Sequence, residues 1–209
     1  MKRLLHIEVS PRGERSCSKT VADAFIDAYS QGHPTDRVKT INLFKFRLPS
    51  FDGDVINAKY AIMHGMPHTD EQKKAWAQVE KVIEQFKRAD KYLFSIPMWN
   101  FGIPYKLKHY IDIITQPGYT FSFSPQDGYK GLVTGKPAVC VYARGGEYAS
   151  GTPGEIHDFQ KKYIDHALGF IGFTDIKSIL VEGTLFGPEV AEARKKAAIE
   201  EAGKIAETF

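Results

Sequence analysis

The sequence predicts an α/β protein built on an open five-stranded parallel sheet with helices on both faces. Short apolar runs alternate with helical stripes along the whole chain, and each parallel pairing needs a crossover helix to bring the chain back to the same end. The length of 209 residues, 43% of them hydrophobic and 25% charged, suits a single domain over 1–209, and no linker, repeat or low-complexity tract divides it.

Residues 3–9 read as the first strand, and the turn-formers and hydroxyls of 10–18 end it. Ser18 is placed to cap a helix whose apolar positions Val21, Ala22, Phe25, Ala28 and Tyr29 recur at helical spacing until Gly32 and Pro34. Residues 37–43 alternate apolar with polar, as a strand near a sheet edge does. The stretch 44–68 lacks periodicity and reads as a long excursion, the kind of loop that usually carries function. Thr69 and Gln72 have capping-box spacing ahead of a stripe formed by Ala75, Trp76, Val79, Val82, Ile83 and Phe86. Residues 92–96 make a third strand, and Pro104 opens a helix that Pro117 and Gly118 close. A hairpin is expected within 119–135, then a buried strand over 138–143. Ile156, Phe159, Tyr163 and Ala167 fit one helical face, 176–181 a fifth sheet strand, and 188–207 an alanine-rich terminal helix.

Composition excludes several classes of function. Lys and Arg number 28 against 25 Asp and Glu, a net charge of +3 with the signs interspersed, which is no footprint for nucleic acid. No apolar stretch approaches the roughly 18 residues of a membrane helix. The start resembles a signal peptide for only a few residues before His6 and Glu8 interrupt it. Cys17 and Cys140 lie far apart and outside any C-x-x-C, which points to a reducing, cytoplasmic setting.

In an open parallel sheet, ligands settle outside the carboxyl ends of the strands, so the post-strand loops 10–18, 97–104 and 143–148 are the candidate site. The first carries no dinucleotide fingerprint and no nucleotide-triphosphate loop. Ser16 and Ser18 instead set hydroxyls beside the N–H groups of a helix start, a setting for a phosphate monoester, or equally an ordinary cap and turn. Arg12 and Arg15 add charge there or are simply solvated. Cys17 beside the helix start is either a reactive thiolate or a small packing spacer. The second loop presents Met98, Trp99 and Phe101 where water normally selects polar residues. They line a flat ring system or plug the core top or an oligomer interface, and Asn100 offers an amide to a heterocycle edge. In the third loop Gly145 and Gly146 allow close backbone approach and free N–H groups for a ring carbonyl, or form a plain turn.

These motifs, together with Leu107-Lys108, Gly118-x-Thr-Phe121, Gly131-Leu-Val-x-Gly-Lys136, Leu168-Gly-Phe-Ile-Gly172, Glu182-Gly183 and Gly187-Pro188, resemble the FMN-dependent NADH-azoreductases over nearly the whole chain. The resemblance implies a flavodoxin-like homodimer that binds FMN, takes electrons from NADH or NADPH and passes two of them to a quinone or azo compound in a ping-pong cycle. It implies that Ser10, Ser16, Cys17 and Ser18 hold the phosphate end, that Met98, Trp99, Asn100 and Phe101 face the ring, and that Ala143, Arg144, Gly145 and Gly146 meet its pyrimidine side. Ala143 stands where many relatives have serine, and Trp99 where tyrosine is common, which bears on acceptor choice.

No side chain is assigned as a catalytic acid or base; Arg144 is the candidate for supporting a developing anion, the alternative being an outward-facing arginine. His64 and His68 are four apart but straddle Gly65 and Pro67 with no third ligand, so no metal is expected. His6 and Glu8 share a strand face and are expected to pair within the fold. Tyr119, Phe121, Phe123 and Phe170 shape a substrate mouth, or are core or dimer contacts. The alternative functions are a flavodoxin-type electron-carrier module serving a protein partner, against which the mixed charge argues, and a flavin-free scaffold.

Overall fold

The computed structural model describes residues 1–67 and 69–209. Its elements are β1 (Arg3–Glu8), α1 (Cys17–Gly32), β2 (Arg37–Asn42), α2 (Gly53–Met63), α3 (Asp70–Lys87), β3 (Lys91–Pro97), α4 (Tyr105–Ile114), β4 (Phe121–Ser124), β5 (Gly128–Gly131), β6 (Ala138–Ala143), α5 (Lys161–Ile171), β7 (Ile176–Val181) and α6 (Pro188–Thr208). The main sheet runs in the order β2-β1-β3-β6-β7 with every pairing parallel, and β4 and β5 form the expected hairpin. Strand order reverses between β1 and β3, so a crevice opens above their carboxyl ends.

Two apolar layers sandwich the sheet. On one face Val79, Ile83 and Phe86 of α3, Leu107 and Ile111 of α4, and Ile164 and Leu168 of α5 pack on Leu5, Ile7, Phe94 and Ile96. On the other, Val21, Ala22 and Phe25 of α1 meet Ala198, Ala202 and Ala206 of α6, whose small side chains at four-residue spacing let the two helices approach closely. Among the described residues no helix is long and apolar enough to cross a membrane.

Three expectations about the helices are corrected. The cap of α1 is Ser16, whose extended backbone frees its hydroxyl to accept from Lys19 N–H; Ser18 lies one step inside the helix. The excursion 44–68 contains α2, hidden from periodicity because only Val55 and Ala58 of it are buried while Ile56, Tyr60, Ile62 and Met63 are exposed. Ile156 and Phe159 precede α5 rather than belong to it: Ile156 sits in a short 3-10 turn, and both are exposed. The capping box of Thr69 and Gln72 forms as the spacing requires. His68 lies outside the described residues, and with it the His64–His68 pair.

His6 and Glu8 do not pair with each other. Glu8 accepts from Asn42 Nδ2 at 2.6 Å, whereas His6 sits between Thr40 Oγ1 at 3.3 Å and Ser95 Oγ at 2.9 Å. Burial, with a smaller contribution from the Lys19 charge, pushes the imidazole down to about 3 from an ordinary 6.5. The unfolded chain therefore takes up this proton first, so the full contribution of neutral His6 is present above about pH 6.5 and is lost as pH falls toward about 3. Within that window the expected slope is about 1.4 kcal/mol per pH unit. His6→Gln removes the slope; urea midpoints measured down the pH scale check it, and equal slopes in both proteins would count against this assignment.

Candidate functional site

The loop after β1 folds over the start of α1. Ser10, Ser16 and Ser18 are all buried, with Ser16 Oγ 3.2 Å from Ser18 Oγ and Ser10 Oγ accepting from Arg12 N–H at 3.3 Å. Gly13 at φ 55° supplies the left-handed step that lets Ser16 N–H close back on Gly13 O. Among the described residues the N–H groups of Cys17 and Ser18 have no partner, so two donors at the positive end of a 16-residue helix remain available to an anion. Cys17 is half-buried against the α1–α6 layer. Arg12 and Arg15 are exposed, and Lys19 is held by Asp23 and Glu14.

After β3 the chain makes a tight reversal. Trp99 and Gly102 exchange backbone hydrogen bonds at 3.1 and 3.0 Å, with Asn100 at φ 46° and Phe101 at φ 70° between them. Among the described residues these are the only non-glycine positions with positive φ. Such backbone costs on the order of 1 kcal/mol or more per residue and persists only where its surroundings enforce it. The surroundings here are Phe44 and Tyr105, with ring centres 5.7 and 6.4 Å from Trp99, and His157 at 5.3 Å from Phe101. Phe159 N–H also donates to Phe101 O at 3.1 Å. Trp99 and Phe101 remain 37% and 47% exposed, so neither plugs the core. Met98 is half-buried, its N–H bonded to Ala143 O.

The loop after β6 departs most from expectation. Arg144 neither faces outward nor reaches for a ligand: its side chain is fully buried, with Nη1 3.0 Å from Glu182, Nη2 3.0 Å from Asp158 and Nε donating to Gln160 Oε1 at 3.0 Å. The expected support of a ring anion by this guanidinium is therefore corrected, because the buried Asp158 and the half-buried Glu182 already hold it. What the loop leaves for a ligand is backbone. Gly145 O and Gly146 O accept from Leu185 and Gly183, and among the described residues the N–H groups of both glycines have no partner. Neither glycine has a positive φ, so a plain glycine turn is not what requires them. A Cβ at Gly145 would stand 2.7 Å from Cδ1 of Leu185, an exposed side chain that can turn aside to relieve the contact.

Asp158, Gln160 and Glu182 were not foreseen as parts of this arrangement. The only sign in the sequence was the Glu182-Gly183 motif, because nothing local announces a contact across 38 residues. Gln160 Nε2 donates to Ile96 O at the end of β3, and Glu182 accepts from Tyr148 N–H, so one buried cluster ties the β3, β6 and β7 loops together. The aromatic group divides: Phe121 meets Phe170 at a tilt of 55° beside the exposed Phe123 and Tyr129, while Tyr119 bonds to Trp76 and Glu80 on α3.

A family model described as a flavodoxin-like fold matches residues 2–206. The chain belongs to this flavodoxin-like family. It is 52% identical over the full length of both chains to an FMN-dependent NADH:quinone oxidoreductase of Nitratidesulfovibrio vulgaris strain DP4. Among solved structures, azoreductase from Bacillus anthracis str. Sterne superposes with a TM-score of 0.92 at 35% identity, covering 100% of each chain. An FMN-dependent NADH-azoreductase from Bacillus anthracis str. Ames Ancestor in complex with FMN has a TM-score of 0.86 at 28% identity, covering 99% of this chain and 100% of that one. The flavodoxin-like architecture expected from the motifs is thus the architecture found.

Arg144→Ala leaves the buried Asp158 and the half-buried Glu182 without their counter-charge, and a loss of about 3–5 kcal/mol in unfolding free energy is expected. Urea unfolding checks this, and a loss below about 1 kcal/mol, the level of an exposed pair, would contradict the geometry.

Proposed function

We propose that this protein is an FMN-dependent oxidoreductase that uses NADH or NADPH to reduce quinones and azo compounds. What carries this function is the meeting, at one rim, of free helix-start N–H groups, an exposed aromatic pair and a glycine loop with free N–H groups. The relatives named for FMN and for quinone or azo reduction support the same choice.

The residues fit the group. The hydroxyls of Ser10, Ser16 and Ser18 and the N–H groups of Cys17 and Ser18 match a phosphate monoester, with the helix dipole adding attraction. Met98, Trp99, Asn100 and Phe101 offer ring faces and an amide to the isoalloxazine, and the N–H groups of Gly145 and Gly146 offer fixed donors to its pyrimidine edge, beside Ala143 and Arg144, whose backbone is bonded to Met98, Val181 and Thr184 and holds the loop in place. When bound, the flavin supplies two-electron exchange between a nicotinamide and the acceptor. The chain's own part is alignment and electrostatics: the donors of Gly145 and Gly146 are held by hydrogen bonds to the 183–185 segment before any ligand arrives. Arg144 belongs to this machinery through its backbone and through the cluster that braces the loop.

Leu185, Phe186, Ile156 and Phe159 are exposed apolar side chains, and such a surface supports a second copy of the chain as the working partner. Free Cys17 and Cys140, the latter buried with its thiol pushed up to about 12, suit a reducing cytoplasm.

Purified protein is expected to be yellow, dimeric in sedimentation, and to oxidise NADH only when menadione or methyl red is added, with no protein partner. Double-reciprocal plots with both substrates varied should be parallel; intersecting lines would rule out the ping-pong order. Phe101→Gly removes a ring while suiting the left-handed backbone. It should shift unfolding by no more than about 1 kcal/mol yet weaken FMN binding by about tenfold, read from quenching of flavin fluorescence.

A further inference from the structure

A large hollow lies away from the rim just described. It has a volume of about 740 Å³, within the usual range for small-molecule sites, and opens between the amino-terminal ends of β1 and β2 and the second half of α3. Its apolar lining comes from Leu4, Leu5, Ala77 and Ala89. Parallel register sets Arg37 beside Arg3 and Lys39 beside Leu5, so these two β2 side chains share the sheet face that α3 covers. That face is apolar further along, at Ile7 and Ile41, but charged here, and α3 does not close over it.

Five cations line the hollow, namely Arg3, Arg37, Lys39, Lys81 and Arg88, against the two acids Glu80 and Glu84. Asp90 holds Arg3, Glu80 accepts from Tyr119, and Glu84 lies 3.6 Å from Lys87. Among the described residues the side chains of Arg37, Lys39, Lys81 and Arg88 have neither an ion pair nor a hydrogen bond. An apolar hollow rimmed by unpaired cations, with its acids engaged elsewhere, is complementary to one kind of occupant. We propose that it is a second ligand site, for a small organic anion that lays an apolar body on the leucine and alanine lining and turns a sulfonate or carboxylate toward Arg37, Lys39, Lys81 and Arg88. No residue of the hollow belongs to the flavin rim, so the site is independent of the function assigned above.

The test is titration of the FMN-loaded protein with 8-anilinonaphthalene-1-sulfonate, followed by dye fluorescence, with the neutral N-phenyl-1-naphthylamine as comparison. Expected are saturable binding of one dye per chain, weaker binding of the neutral dye, and affinity that falls as salt is raised. The exposed double variant Arg37→Gln/Lys39→Gln should lose at least about fivefold in sulfonate affinity with FMN content and unfolding midpoint unchanged. Ala77→Trp, which fills the hollow, should abolish binding. Absence of saturable binding, affinity unaltered in the double variant, or loss of affinity in Leu185→Ser instead, which would put the dye on the flavin rim, overturns the proposal. The double variant decides the matter even if Ala77→Trp does not fold.

Discussion

The buried cation of Arg144 is the constraint on which the functional end of this molecule depends. A guanidinium removed from water needs acceptors and counter-charge, and here Glu182 and Gln160 accept from it while Asp158 faces Nη2 as an ion pair at 3.0 Å, so two distant stretches of chain converge on one charge. Because each partner is also bonded to backbone, the same charge that needs neutralising fixes the ends of β3, β6 and β7 relative to one another. The loops at the carboxyl edge are therefore held by an electrostatic cluster as well as by apolar packing.

That rigidity explains how strained backbone survives next door. The left-handed pair Asn100 and Phe101 turns two aromatic side chains outward at a cost the turn alone does not offset. Phe159, one residue from Gln160, clamps Phe101 through its N–H, so the buried cluster and the strained turn share a support. Strain, exposed rings and unpaired donors coincide at the strand-order reversal, where the sheet alone leaves a crevice.

Much of this was legible in order. Strands over 138–143 and 176–181 stand where their apolar runs predict, and the Thr69–Gln72 capping box forms because both of its bonds are local. Helix α2 was not legible, since a helix that buries two side chains carries no stripe to read. The choice between Ser16 and Ser18 as cap turned on the backbone angle of a single residue, which both serines permit. Of the candidate site, the three loops were identified, whereas the role of the Arg144 side chain was not, because its partners are distant along the chain.

Local chemistry decided the alternation of strand and helix, the parallel sheet and the set of loops that face the crevice, since periods of 2 and 3.6 and the demands of crossover are properties of neighbouring residues. Tertiary packing decided the rest: which arginine is buried, which backbone is forced left-handed, and where the sheet is left uncovered beside α3. Those outcomes depend on groups brought together from tens of residues apart, where burial makes an unpaired charge or donor costly and so selects one arrangement.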